Sequence, residues 1–155
     1  MTNVLRFVQV FALGTWVGSI IYFSAVVAQA AFGTVSNRDQ VGAFVGTALG
    51  GLHYLGVIAA IVYLIATVWW GRSASSLVKP AALGVVLMLL LTLASQKIVI
   101  PRMDVLRAQM GSVDATPQSN PLRAEFDRLH NISVQLESGV LLVGLIALFL
   151  TVRSK

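Results

Sequence analysis

The chain has 155 residues, 57% hydrophobic and only 11% charged, with a mean hydropathy of +0.83. Soluble domains carry about twice that share of charge, so a water-soluble fold is excluded, and the apolar content excludes disorder. Eleven Lys and Arg against six Asp and Glu give a net charge of +5, without the basic run that would mark a nucleic-acid partner.

The expected fold is all-α, a polytopic four-helix transmembrane bundle in one domain spanning 1–155. Backbone groups in lipid must bond within their own segment, so the long apolar runs read as helices. The first is expected at about 5–33, inside a stretch free of Asp, Glu, Lys and Arg from Phe7 to Asn37. Arg6 and the triplet Ala28-Gln29-Ala30 imitate a signal peptide. The run is longer than the roughly 7–15 residues of a signal core, so it is read as a retained span.

The second helix is expected at about 41–70, ending on Trp69-Trp70 and the stop Gly71-Arg72. Pro80 suits the first turn of a third helix at about 79–101, because its missing N–H is unpaired there anyway. Pro101 is expected to close or kink that helix. A hydrophilic segment, 102–130, follows. Within it Arg102 to Met110 reads either as an interfacial stretch with Met103, Leu106 and Met110 facing inward or as a solvated helical extension. Gly111 to Asn120 is polar and expected to be the most mobile part. Asn120-Pro121 reads as the start of the fourth helix, about 121–152.

Small residues let helices approach in lipid. Gly14 and Gly18 form one such step, and Gly42, Gly46 and Gly50 another, on a face that continues to His53. In the fourth helix His130, Ser133, Glu137, Gly144 and Thr151 share a stripe. His53 lies roughly 15 Å along the second helix from Gly42, and Glu137 about 10 Å beyond His130. Gln29, His53, Gln96, Lys97, His130 and Glu137 are therefore expected to gather in one half of the bundle. Ionisable residues at membrane depth are costly, which makes these functional candidates.

Blander readings stand beside that one. Glu137 could pair with Lys97 as helix glue, His53 could be a packing histidine, and His130 could be solvated. Met88, Met103 and Met110 read as core filling, and Trp16 and Tyr22 as packing aromatics. A metal site on His53, His130 and Glu137 matches no compact ligand motif. Haem between the two histidines would need both rings at one depth. No cofactor is assigned and no nucleotide or catalytic motif is present, so a non-enzymatic role is expected.

Four spans put both termini on one side. Arg6, Arg72, Lys79, Arg153 and Lys155 then share it, while Arg38, Lys97, Arg102, Arg107, Arg123 and Arg128 share the other. Five against six does not set the orientation. Cytoplasmic termini are favoured, in a bacterial inner membrane, because the six include four on the long hydrophilic segment.

Gly14 to Gly33 (GTWVGSIIYFSAVVAQAAFG), Pro101-Arg102-Met103 and Glu125 to Leu145 (EFDRLHNISVQLESGVLLVGL) resemble the transmembrane-protein-205-like family of small four-helix membrane proteins. The resemblance covers nearly the whole chain, and its family-marking positions here are Phe126, Leu129 and His130. The second helix lacks the Phe-Pro-x-Tyr-like step of some members. The resemblance implies a role in resistance or export of metal-containing compounds and gives no catalytic residue. Three function classes follow: solute or metal handling through the polar half-bundle, a structural or assembly subunit partnered by other membrane proteins or by itself, and a haem- or metal-carrying subunit.

Overall fold

The computed structural model describes residues 2–153; Lys155, counted above among the cations of the termini side, lies outside them. The described residues form an all-α bundle of four long helices: α1 (Asn3–Thr34), α2 (Arg38–Gly71), α3 (Pro80–Met110) and α4 (Pro121–Arg153). Helices of 31–34 residues reach about 46–51 Å at 1.5 Å per residue. That exceeds the roughly 30 Å of bilayer hydrocarbon. Phe7, Phe11, Ile58, Ile65, Leu90, Leu142, Ile146 and Phe149 all face outward. So apolar an exterior needs lipid around it, and the chain is a multi-pass membrane protein.

Local chemistry sets the helix starts. The Asn37 side chain accepts from Gln40 N at 3.0 Å, and the Asn120 side chain from Leu122 N at 2.9 Å. Each satisfies an orphan donor of a first helical turn. Pro80 and Pro121 occupy the first positions of α3 and α4, where a missing N–H costs nothing. Arg72 ends α2 in the left-handed conformation, with φ of 50°.

The core draws on all four helices: Leu13, Trp16 and Ile20 of α1, Ala60 and Tyr63 of α2, Val85 and Met88 of α3, and Val140 and Ala147 of α4. Besides Gly71, where a Cβ would collide with the Ser76 side chain, close approach between long helices occurs at three glycines. A Cβ on Gly56 would stand 2.4 Å from the Trp16 ring, one on Gly144 2.8 Å from Met88 and Val17, and one on Gly84 3.1 Å from Ala147. The glycines expected to pack lie elsewhere. A Cβ on Gly14, Gly18, Gly46 or Gly50 would meet nothing within 4 Å, and one on Gly42 only the tip of Arg107. Four-residue spacing identifies a helix face but not which neighbour covers it. Trp16 and Met88 are buried as expected, whereas Tyr22 points outward at 61% exposure.

α3 does not end at Pro101. A π-turn at Ser95–Val99 precedes the proline, and the helix runs on to Met110. The wider turn takes up the missing N–H and the ring's conflict with the preceding carbonyl. The segment 102–130 is therefore mostly helix: the end of α3, a connection, and the first turns of α4. Val99 and Met103 pack on Phe126 and Leu129, joined by Leu106, Met110, Ile132 and Leu136, in a second apolar core. α1 carries a matching π-turn at Phe23–Val27.

The connection expected to be mobile is anchored. Asp39, in the first turn of α2, accepts from Ser112 Oγ at 2.5 Å and from Val113 N at 2.9 Å. Arg123 donates to the Val113 carbonyl, and Thr116 Oγ1 donates to the Ser112 carbonyl at 2.6 Å.

Because the Trp16 ring fills the space beside Gly56, Gly56→Ala should destabilise the bundle by about 1–3 kcal/mol through overpacking. Gly50→Ala should leave it nearly unchanged. Denaturation of the two variants in mixed micelles checks this pair.

Candidate functional site

His53 lies roughly 22 Å along α2 from Arg38 and is only 2% exposed. Burial at that depth obliges an imidazole to find partners within the protein. It finds them on two other helices. Nδ1 meets Gln96 Oε1 of α3 at 2.8 Å, and Nε2 meets Glu137 Oε2 of α4 at 3.2 Å. Three helices are thus tied through one ring.

The hydrogen-bond arithmetic constrains this cluster. With the Gln96 oxygen facing it, Nδ1 is a donor, and a neutral ring then leaves Nε2 as an acceptor. Nε2 and the Glu137 oxygen can bond only if a proton lies between them. His53 and Glu137 are thus joined by one hydrogen bond between α2 and α4.

Two buried hydroxyls lie on the same helix as Gln96, within its preceding turn. Thr92 and Ser95 are each 1% exposed, and neither side-chain oxygen has a hydrogen-bond partner among the described residues. The contacts of Gly84 with Ala147, Gly144 with Met88 and Gly139 with Leu91 fix the antiparallel register of α3 on α4. That register carries Ser95 to the level of Leu136 and Glu137. The interior therefore offers unused hydrogen-bonding capacity near the depth of the His53–Glu137 pair.

Three of the six polar candidates, His53, Gln96 and Glu137, come together. Gln29, Lys97 and His130 lie on the exposed surface. Lys97 follows Gln96 in the π-turn and turns outward, so Glu137 pairs with His53. His130 falls beside the Phe126–Leu129–Ser133 stripe, where α4 packs on the α3 extension. Phe126 and Leu129 are core residues there, and the Arg107 guanidinium stands 5.5 Å from the Phe126 ring centre.

No group of three His, Cys, Asp or Glu side chains that could hold a metal exists among the described residues. His53 and Glu137 supply one nitrogen and one carboxylate, and His130 does not join them. Haem ligation by paired histidines finds no support either, since both His53 nitrogens are engaged and His130 faces outward.

A second polar network, not expected from the sequence, lies at the termini end. Gln9 Nε2 donates to Thr67 Oγ1 at 2.8 Å, Thr67 Oγ1 to the Tyr63 carbonyl at 2.8 Å, and Tyr63 OH pairs with Thr151 Oγ1 at 2.8 Å. Arg6 donates to the Val152 carbonyl. A single Gln or Thr in an apolar run was the only available signal.

The model of a domain of unknown function, DUF4149, matches residues 11–112. The chain belongs to this family. The matched region covers most of α1, all of α2 and α3, and therefore His53 and Gln96. It stops before α4 and Glu137. No curated protein and no solved structure matches the chain.

Gln96→Leu should leave Nδ1 of His53 without its acceptor, a loss of about 1–3 kcal/mol. Nitrogen NMR of labelled histidine should show a protonated Nδ1 in the native protein. The variant should lose that tautomer preference.

Proposed function

We propose that this family member is a non-catalytic, solute-handling membrane protein whose working site is the His53–Gln96–Glu137 cluster. The carrying observation is the buried contact of His53 Nε2 with Glu137 Oε2 at 3.2 Å, in an interior where the Thr92 and Ser95 hydroxyls have no partner among the described residues. Such a site can exchange a proton for a small polar or cationic solute. The guest would take hydrogen bonds from the hydroxyls, and the pair would adjust its charge by one. The π-turn that presents Gln96 gives α3 a local hinge, as π-bulges do at many functional sites. The reading includes cytoplasmic termini in a bacterial inner membrane.

The test is growth of a deletion strain under divalent metal salts and in acidic medium, complemented at matched membrane protein levels. Glu137→Gln keeps the size and hydrogen bonding of the side chain but removes the exchangeable charge. It should abolish whatever tolerance the native protein restores. Arg102→Gln, exposed at the far end of α3, should restore it fully. Equal tolerance with Glu137→Gln and the native chain would overturn the reading.

One observation favours a second reading, an assembly role. A Cβ on Gly14, Gly18, Gly46 or Gly50 would meet nothing within 4 Å among the described residues, as on small-residue faces where another helix docks. Extraction in mild detergent should then yield a complex or oligomer, dissociated by Gly46→Leu. Recovery of a lone monomer would sink this alternative.

A further inference from the structure

The two ends of the bundle differ in charge in a way independent of the His53 site. Arg6, Arg72, Lys79 and Arg153 belong to the termini end, and none of the six carboxylates does. Asp39, Asp104, Asp114, Glu125 and Asp127 lie at the opposite end, and Glu137 is interior. The termini end thus carries cations that no acidic side chain offsets.

A cavity of about 450 Å³ opens there, between the first turns of α1 and α3 and the last turns of α2 and α4. Its volume falls within the roughly 300–1,000 Å³ typical of ligand pockets. Gln9, Tyr63, Thr67 and Thr151 contribute polar atoms to its wall. All four are buried, with exposures of 8%, 2%, 6% and 3%. The Gln9 amide has a second N–H beyond the one given to Thr67. Lys79 and Arg153, both exposed, stand on the same wall. Trp70, Pro80 and Leu150 make the rest of it apolar.

We propose that this cavity binds the phosphate headgroup of an anionic phospholipid. Lys79 and Arg153 would take the phosphate, the Gln9 amide a headgroup oxygen, and the Trp70–Pro80–Leu150 wall the first part of an acyl chain. Basic pockets between transmembrane helices recognise anionic lipid headgroups in this manner. A free phosphate ion shares the charge chemistry but uses neither the apolar wall nor most of the volume. A zwitterionic lipid carries a cation of its own, which Lys79 and Arg153 would repel.

The test uses the full-length protein in nanodiscs of phosphatidylcholine doped with phosphatidylglycerol, released into mild detergent for native mass spectrometry. The native chain should retain one phosphatidylglycerol in preference to phosphatidylcholine. The double variant Lys79→Gln/Arg153→Gln should lose that preference, by about fivefold for each cation removed. Arg38→Gln/Arg102→Gln, with both positions exposed at the opposite end, should keep it. Unfolding midpoints would confirm that both double variants are folded. Equal retention of the two lipids by the native chain would overturn the proposal, as would equal loss in the two double variants. Displacement of the lipid by inorganic phosphate at matched concentration would overturn it in favour of a soluble anion.

Discussion

In hydrocarbon a polar group must find its partner inside the protein, and that requirement organises this bundle around His53. The imidazole is buried at mid-span and can be satisfied only from neighbouring helices. Its bonds to Gln96 and Glu137 fix the relative depth of α2, α3 and α4 at that level. Apolar packing alone would do so weakly, because lipid competes with side chains of the same character. Packing sets depth elsewhere through shape. Trp16 keys into Gly56, and Met88 with Val17 into Gly144. One hydrogen-bonded cluster and two steric locks together specify how all four helices sit.

Pro101 then becomes part of the site and not merely an ending. A proline inside a helix removes one N–H and crowds the carbonyl four residues back, here that of Lys97. The chain answers with the π-turn Ser95–Val99, which contains Gln96. The residue that holds Nδ1 of His53 is therefore presented by the distortion the proline imposes. The same turn sends Lys97 outward, leaving Glu137 to the histidine. Backbone geometry and site chemistry are coupled over the stretch from Gln96 to Pro101.

Much of this was legible in the sequence. Charge-free runs bounded by Trp69-Trp70, Pro80 and Asn120-Pro121 locate the spans, because lipid exacts length and apolarity from any crossing helix. His53, Gln96 and Glu137 stand out as polar residues at depth, and the three do meet. The remainder depends on azimuth, which depth does not supply. Gln29 and Lys97 share a plausible level with the site yet face outward. Glycine spacing identified small faces but not Gly56, Gly84 and Gly144, where side chains from other helices press. The continuation of α3 was hidden because Pro101 ordinarily ends a helix, and a π-turn leaves no compositional trace. Asp39 gave no sign that it would tether a loop more than 70 residues away.

The two ends of the molecule solve their electrostatics differently. At the loop end Arg107, Arg123 and Arg128 pair with Asp104, Asp127 and Glu125 within single helices, three or four residues apart. Exposed pairs of this kind contribute roughly 0–1 kcal/mol each, so they are not what holds the α3–α4 hairpin together. The apolar contacts of Met103, Phe126 and Leu129 do that, with Arg107 laid over the Phe126 ring. What the pairs accomplish is local neutralisation of three of the six cations at that end. Arg6, Arg72, Lys79 and Arg153 have no acidic side chain at their own end to do the same. Their positive potential persists at the membrane surface, screened only over a Debye length of about 8 Å at physiological ionic strength. A chain with net charge +5 thus concentrates its excess charge at one end. It does so by withholding acids from that end, since the loop end carries more cations, six, but also five of the six acidic side chains.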